Sequence, residues 1–153
     1  MNRSRYLTRH IDQVDRSIIA ALTEDGRMTT KAVAERIGMS SPSVTERVNK
    51  MKDAGAIKGF VVVVDPKAFG LHIAAYVRIH AMPGEATRVA QMLGDTPELV
   101  EADQITGKDC FQMKVVVSNA EDLQAVVSRF EPYASVDTAI ILSNTVVRRL
   151  PKL

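Results

Sequence analysis

Apolar residues recur at helical spacing in the first third of the chain and alternate after residue 72, which predicts two units of different architecture. Ile11, Val14, Ile18 and Leu22, with Ile19 beside them, line one face of a first helix, and Gly26 in the stretch EDGR stops it. Thr29 or Thr30 caps a second helix, on which Val33, Ala34 and Ile37 share a face before Gly38 ends it. Ser40 caps a third, with Pro42 in the first turn, where a missing N–H costs nothing, and Ser43 supporting the unpaired donors. Val44, Val48 and Met51 form its inward stripe and Gly55 ends it. Two short helices joined by a tight glycine-containing turn make a helix-turn-helix, and GAIKGF then supplies a wing or a connecting strand. AIKGFVVVVDP is expected to be extended, closed by Asp65-Pro66.

In HIAAYVRIHAM the period changes to two. Ile73, Ala75, Val77, Ile79 and Ala81 face one way, and His72, Ala74, Tyr76, Arg78 and His80 the other, as in a half-buried strand. Pro83-Gly84 breaks it, and a helix follows with Ala86, Val89, Ala90 and Leu93 on one face. After DTPE, LVEADQIT reads as a second, less regular strand, and Gly107-Lys108 turns into a third with Phe111, Met113, Val115 and Val117 inward. Asn119 caps a helix bearing Leu123, Val126, Val127 and Phe130, which Pro132 terminates. SVDTAIILSNTVVRR reads as a last strand, apolar enough to be covered on both faces. The order βαββαβ is the ferredoxin-like arrangement, one antiparallel sheet with two helices on one face. Its bare face, with Tyr76 on it, is most simply covered by a second subunit. The expected class is therefore α+β, a winged helix-turn-helix followed by a ferredoxin-like sandwich. The expected segments are a basic tail 1–10, a helix-turn-helix domain 11–58, a linker strand or hinge 59–71, a ferredoxin-like domain 72–148 and a tail 149–153. The family resemblance given below adds DNA binding for the first domain and effector sensing and oligomerisation for the second.

With Val44 inward, a helical wheel puts Glu46, Asn49 and Lys50 opposite, flanked by Ser43, Thr45 and Arg47. Arg and Lys meet guanine edges or phosphates, Asn pairs with adenine, and small hydroxyls such as Ser41 and Ser43 let a helix start approach the backbone. The plainer alternative is a solvated helix face. For the helix taken alone the solvated face is the expectation; the turn, the cap and the family resemblance given below together make duplex DNA the expected partner.

Charge adds direction to this pattern. The net charge is only +2, but residues 1–60 carry 11 Lys/Arg against 7 Asp/Glu, so the basic surplus lies in the front part of the chain, three of its cations being in the tail. Arg3, Arg5 and Arg9 in the tail either follow phosphates or keep a disordered tail soluble. No apolar run approaches the roughly 18 residues of a membrane span, no apolar stretch follows the first arginines as in a secretory leader, and the single Cys110 leaves no intrachain disulfide. A cytoplasmic, nucleoid-associated protein is expected.

No Ser/His/Asp constellation, phosphate-cradling glycine loop or metal-ligand spacing is visible, so neither catalytic residue, metal nor cofactor is assigned. His72 and His80 would stand about 26 Å apart along a strand, too far to share an ion. At Thr106-Gly107-Lys108-Asp109-Cys110, glycine permits φ > 0 and leaves backbone N–H groups free to hold a carboxylate, with Lys108 nearby. A tight turn with no ligand is the alternative there.

The stretch DRSIIAALTEDGRMTTKAVAERIGMSSPSVTERVNKMKDAGAIKGF resembles the amino-terminal DNA-binding domain of the Lrp/AsnC (feast/famine) transcription regulators, and ITGKDCFQMKV resembles their effector-loop motif. The resemblance runs from about residue 11 to about residue 148. It implies a RAM/ACT-like second domain, dimers joined through their sheets and often gathered into octamers, and amino acids as effectors bound near the Thr-Gly loop. In one place the chain departs from the family pattern. Many members carry an aspartate where Cys110 falls, and here the aspartate is Asp109. An anion is needed there for an effector's ammonium group, and a thiol at neutral pH is not one. Sirohaem decarboxylases resemble the same two-domain architecture, and His72, Arg78 and His80 would then serve a tetrapyrrole. Two further alternatives are an effector-independent architectural DNA binder and a sensor that contacts only other proteins.

Overall fold

A computed structural model describes residues 11–107 and 110–146. The chain divides into two compact units, one reaching to Val62 and the other starting at Val63.

The first unit is three helices: α1 (Gln13–Glu24), α2 (Thr30–Ile37) and α3 (Ser41–Asp53). α1 begins at an N-cap that periodicity alone missed. The Asp15 N–H donates to the Asp12 carboxylate at 2.8 Å, and the Asp12 N–H donates back to the Asp15 carboxylate at 3.2 Å. This is a reciprocal capping box with aspartate at its third position, and Ile11 lies ahead of the helix. Thr29 caps α2 and accepts from the Ala32 N–H. Gly38 ends α2 with φ 72°, a left-handed conformation that a β-carbon disfavours. The turn to α3 is thus Gly38 to Ser40, and Ile18, Ala21, Val33, Ala34, Val44 and Met51 close a small core beneath it.

The extended segment after α3 forms no strand ladder in this chain. Phe60 to Val64 are 53 to 90% exposed, and a 3-10 turn, Pro66–Phe69, follows them under an Asp65 cap. A β-branched run has strong strand propensity, but propensity needs a neighbouring edge to pair with.

The second unit holds β1 (Ile73–Ala81), α4 (Ala86–Gly94), β2 (Leu99–Gln104), β3 (Phe111–Val117), α5 (Ala120–Ser128) and β4 (Ala134–Ile140). The sheet order is β2-β3-β1-β4 and every pair is antiparallel, which is the expected ferredoxin-like topology. β1 is central, with Ile79 opposite Phe111 on one side and Val136 on the other. Ala75, Val77, Ile79, Met113 and Val115 pack with Val89 of α4, Val126 of α5 and Phe130. Three expectations need correction. Ala86 and Ala90 of α4 are exposed, and Val89 and Leu93, with Met92 half-buried beside them, carry its inner face. α5 stops at Ser128, well before Pro132, and Phe130 reaches the core from the turn beyond. β4 ends at Ile140 and is buried only at Ala134, because it is an edge strand; residues 147–149 of the expected strand lie outside the described residues. Among the described residues no helix is long and apolar enough to cross a membrane.

Candidate nucleic-acid interface and effector loop

The start of α3 is built by its hydroxyls. Ser40 Oγ accepts from the Ser43 N–H at 3.3 Å and shares a hydrogen bond with Ser43 Oγ at 2.8 Å. Thr45 Oγ1 donates to the Ser41 carbonyl at 3.0 Å. Val44 and Met51 are buried, Ser41, Ser43 and Arg47 are half-buried, and Thr45, Glu46, Asn49 and Lys50 are exposed. The exposures agree with the wheel: Glu46, Asn49 and Lys50 are outermost, and Arg47 stands at the flank where the wheel put it.

Arg47 is engaged inside the unit. Its Nη1 donates to Asp12 Oδ2 and to Asp15 Oδ1, each at 2.8 Å. The Arg47 side chain is 31% exposed and that of Asp15 only 7%. The Asp15 N–H, and after it the Arg47 guanidinium, hold the Asp12 carboxyl below its ordinary range, while Asp15 and then Asp12 raise the arginine's pKa. The two acids that cap α1 thus also hold α3, a tie from Asp12 and Asp15 that the sequence reading did not find. The Asp12-x-x-Asp15 spacing was its only sequence signal.

One position earlier, Glu46 pairs with Lys50 at 2.6 Å on the same helix, and the Lys50 hydrogen bond lowers the Glu46 pKa. Both side chains are well hydrated, at 67% exposed for Glu46 and 60% for Lys50, so this pair adds little net stability. Beside it a groove of about 400 Å³ runs between the start of α1 and α3, floored by Ile11, Met39, Met51 and Ala54 and rimmed by Asp15, Ser43, Glu46, Arg47 and Lys50.

The loop between β2 and β3 is the second candidate site. Ile105 N–H donates to the Cys110 carbonyl and Cys110 N–H to the Ile79 carbonyl, both at 3.0 Å, which ties the loop to β1. Gly107 has φ 110°, and a β-carbon there would meet nothing within 4 Å, so backbone conformation and not crowding selects glycine. Thr106 and Gly107 are exposed, whereas Cys110 is half-buried against the sheet core. Lys108 and Asp109 lie outside the described residues, as do the tail arginines Arg3, Arg5 and Arg9.

The outer sheet face carries Tyr76, 42% exposed, beside Glu101, Asp103, Gln112 and Lys114, with Arg78 paired to Asp137 across β1 and β4. Among the described residues no three His, Cys, Asp or Glu side chains gather as metal ligands would.

A three-helix unit with an exposed, capped third helix, followed by a ferredoxin-like sheet, defines a DNA-binding transcription regulator with a ligand-binding domain. Residues 11–58 match a winged helix-turn-helix DNA-binding family, and residues 74–151 match the Lrp/AsnC ligand binding domain. The chain belongs to the Lrp/AsnC family of transcription regulators. It is 32% identical to the HTH-type transcriptional regulator LrpC of Bacillus subtilis over 136 residues, covering 87% of this chain and 92% of LrpC. The solved LrpC structure superposes with a TM-score of 0.84 at 28% identity over 90% of this chain and 98% of that one, and Escherichia coli AsnC with 0.83 at 29% over 92% and 97%. A Neisseria meningitidis transcriptional regulator, solved as a complex with L-Met, shares the fold with a TM-score of 0.84 at 20% identity over 92% of this chain and 96% of that one.

Proposed function

We propose that the chain reads duplex DNA with the outer face of α3. Thr45, Glu46, Asn49 and Lys50 face the major groove, Ser41 and Ser43 bring the helix start close to the backbone, and Arg47 borders that face. One observation carries this reading: α3 is fixed from its inner side by Val44, Met51 and the Arg47 pairs, and its opposite face presents an amide, a carboxylate, a hydroxyl and an ammonium to solvent. In this reading a second subunit covers the outer sheet face around Tyr76, dimers gather into octamers, and the protein works in the cytoplasm on the nucleoid. A homodimer presents two copies of α3, so its sites are pseudo-palindromes with half-sites about 34 Å apart or a multiple of that. Selection of binding sites from random duplexes, followed by footprinting, tests this. Recovered sites without two-fold related halves would contradict it.

The proposed effector is an amino acid or a similar small molecule. Main-chain N–H groups of the Thr106-Gly107 turn hold its carboxylate with Lys108 nearby, and Asp109 meets its ammonium in place of the residue that Cys110 replaces. The left-handed Gly107 supports this, as does the L-Met bound by the Neisseria regulator of the same fold. Calorimetric titration of an amino-acid panel is the test, and absence of heat from every member would reject the effector.

A further inference from the structure

The two cations in the middle of α3 are both held by carboxylates of the same chain, under different conditions. Arg47 bridges Asp12 and the nearly buried Asp15, so releasing it would leave a carboxylate oxygen unpaired where water scarcely reaches. Lys50 meets Glu46 at 2.6 Å with both groups largely in water, so another anionic oxygen replaces Glu46 at little cost. A DNA phosphate is such an oxygen. Arg47 therefore stays in place when DNA arrives, and Lys50 is the cation that exchanges.

We infer that Glu46 is a specificity-determining residue, an intramolecular competitor that keeps the Lys50 ammonium from sequence-independent capture by phosphate. This rests on the proposal that α3 reads DNA. A random duplex must draw Lys50 away from Glu46 and also accept a free carboxylate close to its own phosphates. A matching site repays that repulsion, because the exocyclic amine of cytosine in the major groove donates to a carboxylate. Glu46 thus weakens every complex and weakens the matching one least. The pair lies within one helix and one turn, so this discrimination is present in each subunit.

The test uses the full-length protein with two duplexes, one of random sequence and one enriched by selection against the wild type, each titrated over a range of salt. Glu46→Gln is expected to tighten the random duplex by about tenfold at low salt, with the slope of log affinity against log salt steeper by about 0.9, the signature of one added phosphate contact. The selected duplex gains less. In a Lys50→Gln background the same substitution tightens the random duplex clearly less, because only the repulsion between carboxylate and phosphate is then relieved. Equal tightening on both duplexes, a gain undiminished by the loss of Lys50, or no change at all would overturn the role of Glu46. A wild type that retains neither duplex at any salt would overturn the DNA reading of α3 and this inference with it.

Discussion

Arg47 Nη1 lies 2.8 Å from Asp15 Oδ1 and so ties the third helix to the first turn of α1, 32 residues earlier in the chain. Asp15 already serves the N-cap of α1, so one carboxylate both starts a helix and orients another.

Arg47→Ala should therefore destabilise the helical unit by roughly 1–3 kcal/mol, the cost of leaving a nearly buried acceptor unpaired. Urea unfolding followed by helical circular dichroism measures this. DNA affinity should fall with stability while the salt slope stays near the wild-type value, because Arg47 is occupied by Asp12 and Asp15. A flattened slope with unchanged stability would instead make Arg47 a phosphate contact.

Acid should weaken the fold through carboxylates that arginines and N–H groups hold in the charged form. Asp12 lies below its ordinary 3.8, and Glu24 (beside Arg36) and Glu98 (beside Arg129) lie below 4.5. Because these folded-state values are depressed, the stabilisation is fully present above the ordinary values and is lost as pH falls through the lower ones. Urea midpoints should thus be flat from neutral pH down to about 5 and then decline. Asp12→Asn should make the decline of the helical unit shallower, and an unaltered pH profile would remove Asp12 from this account.

Gly107→Val should strain the β2–β3 loop by about 1–2 kcal/mol, since φ 110° suits glycine and not a β-branched residue. Asp109→Asn should leave stability alone and weaken only amino-acid binding. Thermal unfolding and calorimetry on the two variants separate the effects; equal affinity in wild type and Asp109→Asn would dismiss Asp109 as the ammonium partner.

Tyr76→Lys should impair dimerisation. Tyr76 stands on β1 in the middle of the outer face, and a lysine there must lose its hydration when the face is covered. Sedimentation at micromolar concentration is expected to show monomer for the variant and dimer or larger for the wild type. A variant that sediments like the wild type would place the subunit contact elsewhere.

Much of this structure was legible in the chain because it depends on local chemistry. Ser40 and Gly38 mark the edges of α2 and α3 by what their own backbones require, and the alternation from Ile73 to Ala81 gives the central strand its inner face. Where the reading failed, the deciding partner lay far away or was missing from the chain. Periodicity put Arg47 at the side of a helix but said nothing of Asp12 and Asp15 across the unit. β-branched propensity suggested a strand or an extended linker, and within the chain Val61 to Val64 pair with no edge. The apolar run of the last strand suggested cover on both faces, and in the single chain Ile140 at the end of β4 and Leu142 beyond it are exposed. The effector loop was legible only as far as Gly107, whose φ confirms the turn.

The place of β1 in the sheet also bears on how the chain is made. β1 hydrogen-bonds to β3 and β4, so the strand synthesised first in the second unit completes its pairing only when the strand synthesised last has emerged. The helical unit closes its core with residues up to Ile57 and can fold on the ribosome long before that. A message truncated ahead of residue 134 would therefore yield a folded helix-turn-helix attached to a sheet with one flank of its central strand bare, a product able to occupy operators while inviting edge-to-edge aggregation.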